Sequence, residues 1–199
     1  VRVSFADALY REAAAAYGVS VAFLSNRDTK ESPLPDLKLS NCADKNFVRV
    51  ALRTLNAERG LDGEVPPQPE DLEAPRSPRW VLQLWGTEYR RASEFGYDRY
   101  WLDKVIDVLK AKPETRFVIT DVRFFNEATM VRELGGKLVR VRRPALEERE
   151  AEARRAGILT ALHPSETQLA TYPVDLEVVN REGNPASLEA VLPDLVRAA

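Results

Sequence analysis

The chain has 199 residues, 44% of them apolar and 30% charged, which suits one globular α/β domain with a sizeable core. A formal net charge of −2 argues against a surface given over to nucleic acid, although a local basic groove stays open. A lone cysteine (Cys42) excludes an internal disulfide and fits a reducing, cytoplasmic setting; one cysteine and one histidine also argue against structural zinc.

Val1, Val3 and Phe5 alternate with Arg2 and Ser4, the pattern of a strand. "ADALYREAAAAYG" follows as a helix closed by Gly18. Residues 26–43 are polar, contain Pro33 and Pro35, and read as irregular structure. Asp44 caps a helix to about Arg59, with Phe47, Val48, Ala51, Leu52 and Leu55 on one face. "GLDGEVPPQPEDLEAP", from Gly60 to Pro75, is an exposed excursion rich in proline and acid. Ser77-Pro78 starts a helix to about Phe95, a serine cap followed by proline at the first helical position. Another helix spans about Asp98 to Lys110, turning Trp101, Val105, Val108 and Leu109 inward.

Beyond it come a strand at 116–120, a helix at 126–134, a turn at Gly135-Gly136 and a strand at 137–142. A highly charged helix (145–156), a capping box at Ser165 to Gln168, a strand at Val174 to Val179, a turn at Gly183 and a helix from Ser187 to Arg197 complete the series. This alternation implies a parallel sheet covered by helices. No run approaches the roughly 20 apolar residues of a membrane helix, and no signal peptide is visible.

Three stretches carry candidate chemistry. "VITDVR" ends a strand with Asp121 and Arg123, and open parallel sheets bind ligands outside their carboxyl ends. Asp121 there suits a magnesium ion through water or a proton, and Arg123 a phosphate; a surface ion pair is the plainer alternative. In "SPRWVLQLWGTEYRR", α-helical projection puts Arg79, Gln83, Gly86 and Arg90 on one stripe, the wall of an anion cleft or a solvated face. Val81, Leu84, Trp85 and Ala92 fall opposite, with Glu88 among them, so Glu88 needs a cationic partner such as Arg123. Gly86 costs about 1 kcal/mol against alanine in mid-helix, which suits a close approach to the backbone. Arg142 and Arg143 leave a strand where guanidinium groups suit phosphate, whereas Arg149, Arg154 and Arg155 are interleaved with Glu147, Glu148, Glu150 and Glu152. "HPSE" at His163 is a ligand contact or a capped helix start. "GGKL" lacks the spacing of a phosphate-binding loop, and no Ser-His-Asp or Cys-His set stands out.

Together, "SFADALYREAAAAYG", "SPRWVLQLWGTEYRR", "ITDVRFFNEATMVRELGGKLVRVRRP", "HPSE" and "DLEVVNREG" resemble the deoxynucleoside monophosphate kinases of bacteriophage type, in order over almost the whole chain. The block from Arg79 to Pro144 is the specific part. The resemblance implies a P-loop kinase fold, a single domain over 1–199, ATP and Mg²⁺ as cofactors, and transfer of the γ-phosphate to a deoxynucleoside monophosphate (dNMP). It implies that Asp121 and Arg123 face phosphates and the metal, and that Arg79, Gln83, Thr87, Glu88 and Arg91 line or support the monophosphate site. Asn126 and Glu127 would continue that wall or fix the helix start, and Asp7 would face the acceptor nucleotide. Arg142, Arg143 and Arg149 would belong to a lid over 142–165, Asn180 would lie near adenine, and 19–75 would be the acceptor-binding excursion. Small-molecule nucleotides are the implied partners, with a homodimer admissible and no membrane.

One departure stands out. The family's glycine-rich phosphate loop and its central strand would precede "VRVSFAD". Met130 is the sole methionine, which leaves either a start codon other than ATG or a missing upstream segment; because loss of a central strand would leave unpaired backbone and a gap in the core, a longer natural protein is expected, and little kinase activity is expected of these 199 residues alone. The alternatives are a non-catalytic relative that binds nucleotide or a partner protein, and a nucleic-acid module built on the arginine run 140–155.

Overall fold

The computed structural model describes residues 1–61, 66, 68–157 and 168–181. The described residues form a helix-rich α/β structure with two small parallel sheets, and the chain divides into two compact units, Val1–Asp121 and Val122–Ala199. His163, the capping box at Ser165, the turn at Gly183 and the helix from Ser187 lie outside the described residues.

The first unit opens with β1 (Arg2–Val3), which pairs in parallel with β2 (Val118–Ile119). The expected strand through Phe5 stops early because Ser4 and Asp7 form a capping box. Ser4 Oγ accepts from Ala6 N, the Asp7 carboxylate accepts from Ser4 N, and α1 (Phe5–Tyr17) begins at Phe5. Gly18 ends α1 at φ 65°, a left-handed conformation that favours glycine. A short α2 (Val21–Ser25), capped by Ser20, lies in the stretch after Gly18 that carried no helix expectation.

The expected α3 forms over Lys45–Glu58, with Asp44 accepting from Asn46 N and Phe47 N. It buries Phe47, Val48, Val50, Ala51 and Leu55, so a helix inside the 19–75 segment supplies core. A short α4 (Pro69–Glu73) follows, and α5 (Pro78–Leu84) is capped by Ser77 as expected.

Past α5 the chain does not stay α-helical to Phe95. Trp85–Ala92 is a π-helix, whose i→i+5 hydrogen bonds make a wider turn. The wider turn moves Ala92, expected in the core, to the exposed side, and buries Gly86. Phe47, Trp85 and Tyr89 form an aromatic centre, with ring centroids 4.5 Å apart for Phe47–Trp85 and 5.2 Å for Trp85–Tyr89. In α6 (Tyr100–Lys110), Trp101, Leu102 and Val105 are buried, while Val108, expected inward, is 40% exposed.

In the second unit, α7 (Phe125–Glu133) buries Ala128, Met130 and Val131. Gly135 turns the chain at φ 77° into β3 (Val139–Arg142), which pairs in parallel with β4 (Leu176–Val179). Among the described residues, β2, which precedes Asp121, and β3, which ends at Arg142, belong to different two-stranded sheets, where one parallel sheet was expected. α8 (Pro144–Arg155) buries no side chain, as expected of a helix whose charges alternate in sign. Among the described residues no helix is long and apolar enough to cross a membrane.

Candidate nucleotide site

At the start of α1, Asp121 reaches the helix N-terminus from the end of β2. Its Oδ1 accepts from Phe5 N at 2.9 Å, and its Oδ2 accepts from Ala6 N at 2.9 Å and Ser4 Oγ at 2.5 Å. Asp7 sits one turn along, bonded to Ser4 N and 3.5 Å from an Arg2 guanidinium nitrogen. Two predicted site carboxylates thus meet at one helix terminus, where the backbone dipole favours negative charge.

The second group lies along α5 and the π-helix. Arg79 is at the helix start, its guanidinium paired with Glu31 and its N–H donated to Lys30 O. Gln83, Thr87 and Arg91 are all half-buried. Glu88 is half-buried as well, and its Oε2 is enclosed without a hydrogen-bond partner. Burial pushes its carboxyl above the usual range, and the charge of Glu58 adds to this. The expected arginine partner for Glu88 does not appear among the described residues.

Arg90, expected on the polar stripe, instead turns half-buried towards the aromatic side. Its Nε donates to Glu12 Oε2 at 3.0 Å, its Nη1 donates to Phe95 O, and its guanidinium stacks over Tyr89 and Tyr100. Glu12 also accepts from Trp85 Nε1 at 3.2 Å and Tyr100 OH at 2.6 Å. Burial, and then the bond to Glu12, pushes the Tyr100 hydroxyl up to about 12. What approaches the backbone at Gly86 is protein rather than an anion: Trp101 Nε1 donates to Gly86 O at 2.9 Å, and Leu9 packs over its Cα. Sequence reasoning missed Glu12, because one glutamate in an alanine-rich helix carries no motif.

In the second unit, Glu127 is buried at 1% exposure, and its Oε2 accepts from Arg123 N at 2.7 Å and Phe124 N at 3.1 Å. It therefore fixes the start of α7, one of its two expected roles, and Asn126 occupies the same first turn. The Arg123 side chain is exposed. Arg142 forms a bidentate pair with Glu147, at 3.3 and 2.6 Å, and lies 3.5 Å from Glu177, which together raise its already high pKa. Arg143 and Arg149 are exposed and form no ion pair among the described residues. Asn180 N donates to Arg142 O at 2.8 Å, so those two site candidates adjoin. The Arg140 guanidinium donates to the carbonyls of Leu169 and Tyr172, which accounts for it structurally.

No protein-family model matches the chain. A protein of Acanthamoeba polyphaga mimivirus named "Putative deoxynucleotide monophosphate kinase" is 28% identical over 132 residues, covering 57% of this chain. The chain spans 58% of that relative's length.

Proposed function

We propose that the protein acts as a deoxynucleoside monophosphate kinase, moving the γ-phosphate of ATP onto a dNMP. The observation that carries this reading is the similarity to the mimivirus protein of that name. The half-buried polar face of α5 and the π-helix is compatible with it. Phosphoryl transfer asks for positioning and for neutralisation of phosphate charge, and arginine donors supply both.

In this reading Gln83, Thr87 and Arg91 receive the acceptor monophosphate. Arg79 guards the start of the same helix, and Glu88 takes a donor from the acceptor. Asp7, at the amino end of α1, faces the acceptor nucleotide. Arg123, Arg142, Arg143 and Arg149 meet the transferring phosphates, and Asn180 lies near adenine.

Magnesium would supply charge neutralisation on the phosphate oxygens. Asp121 already accepts three hydrogen bonds with about four lone-pair positions available. It therefore fits an ion held mainly by phosphates and water, touched by one carboxylate oxygen or through a water molecule.

Calorimetric titration with dAMP, dCMP, dGMP and dTMP, with the matching ribonucleotides as controls, tests the acceptor site. Transfer from labelled ATP with Mg²⁺ tests the reaction. Saturable binding of at least one dNMP supports the reading, and absence of both binding and transfer overturns it.

A further inference from the structure

Glu12 Oε2 accepts from two donors five residues apart, Trp85 Nε1 and Arg90 Nε. In an α-helix, side chains five residues apart point about 140° from one another. They could not readily converge on one oxygen. In a π-helix, with a rotation of roughly 82° per residue, the same pair comes within about 50°. The shared carboxylate oxygen therefore matches the π register and not the α register. Tyr100 OH on Glu12 Oε1 ties the latch to α6.

The register decides which arginine faces where. Measured from Gln83, a continuous α-helix brings Arg90 within about 20° and swings Arg91 about 80° away. With the π turn from Trp85 onward, Arg91 comes within about 30° of Gln83, and Arg90 swings about 110° to the other side. The observed burial follows the second pattern. The Arg90 side chain is 18% exposed and tied to Glu12, and Ala92 is exposed where an α-helix would bury it.

We propose that Glu12 is a positioning residue: its carboxylate holds Trp85–Ala92 in the π register and so presents Arg91, not Arg90, beside Gln83 and Thr87 on the acceptor face. The identity of the acceptor rests on the kinase reading above; the register does not. A π turn has poorer backbone geometry than the α-helix it interrupts, so it needs side chains that select it. Three donors on one half-buried carboxylate provide that selection.

The test compares amide hydrogen exchange and dNMP titration for the parent chain, Glu12→Gln and Arg90→Gln, with α3 as the internal reference. Trp85→Phe removes one donor and leaves the carboxylate, so it reads the register even where Glu12→Gln does not fold. Loss of the latch is expected to speed exchange of amides 89–92 at least tenfold relative to α3, and to weaken the best-bound dNMP about tenfold. Unchanged exchange at 89–92 in every folded variant would overturn the latch. Faster exchange with dNMP affinity within twofold of the parent would overturn the positioning role. A parent that neither binds any of the four dNMPs nor transfers phosphate to them would sink the kinase reading and the acceptor assignment with it, leaving exchange to decide the register.

Discussion

Asp121 and Ser4 meet at 2.5 Å across 117 residues of sequence, and with the N–H groups of Phe5 and Ala6 they close the amino end of α1. Asp121→Ala would strip three hydrogen bonds from a charged acceptor and leave the Phe5 N–H without its acceptor at a partly buried helix end, Ala6 N keeping only its bond to Ser4 Oγ. The expected loss is about 2 kcal/mol, with Asp121→Asn retaining part of it. Urea denaturation followed by tryptophan fluorescence checks this. A change below about 0.5 kcal/mol for Asp121→Ala would mean that the cap is dispensable and the carboxylate is kept for ligand alone.

Gly86 and Gly96 make a matched pair. A Cβ on Gly96 would overlap the Arg90 carbonyl oxygen, the acceptor for Tyr97 N in the turn that closes the π-helix. A Cβ on Gly86 would stand 3.4 Å from Leu9 Cδ2, an ordinary contact. Gly96→Ala is expected to cost about 1–3 kcal/mol through backbone displacement. Gly86→Ala is expected to be neutral or to stabilise by up to about 1 kcal/mol, since alanine is the better helix former. Thermal midpoints measured side by side would show the two substitutions moving apart; equal losses would contradict the packing described.

The helix starts were legible because their signals are local. Asp44 before α3 and Ser77-Pro78 before α5 cap their own helices within three residues. The end of β1 was misjudged because apolar alternation through Phe5 outweighed the Ser4–Asp7 box, which is just as local. The face of α5 beyond Leu84 was misjudged for a different reason: projection at 100° per residue assumes an α-helix, and Glu12 sets the π register from 73 residues away. Among site candidates, the strand-end position of Asp121 was legible, but its service as cap to α1 was not. Glu127 was legible as a helix-start residue because the backbone N–H groups it accepts from lie within four residues of it.

Asp71 offers a pH test of the excursion. Its side chain is 6% exposed and accepts from Arg59 at 2.7 and 2.5 Å, and that bidentate bond is the main cause holding its carboxyl below the usual range. A depressed folded value gives stability that is present above the unfolded pKa of about 3.9 and is lost as pH falls through the folded value. Asp71→Asn is expected to cost about 2 kcal/mol at pH 7, the gap from the parent shrinking below about pH 4. Urea midpoints from pH 7 to pH 2.5 check this, and a gap independent of pH would remove the ion pair as its cause.

Glu88 should behave in the opposite sense. Its carboxyl is raised by burial, and its Oε2 has no hydrogen-bond partner. The folded state therefore holds a proton that the unfolded chain releases near pH 4.3, and stability falls as pH rises from there through the raised folded value. Glu88→Gln keeps the shape and removes the charge. It is expected to stabilise the protein by about 1 kcal/mol at pH 8, with the gain fading below about pH 4. Thermal midpoints at both pH values measure it; destabilisation at pH 8 would reveal a donor that favours the ionised form. A carboxylate that costs stability at neutral pH is the kind of group retained for a ligand. The same substitution is accordingly expected to weaken binding of the preferred dNMP about tenfold, and stabilisation with unchanged affinity would take Glu88 out of the acceptor site.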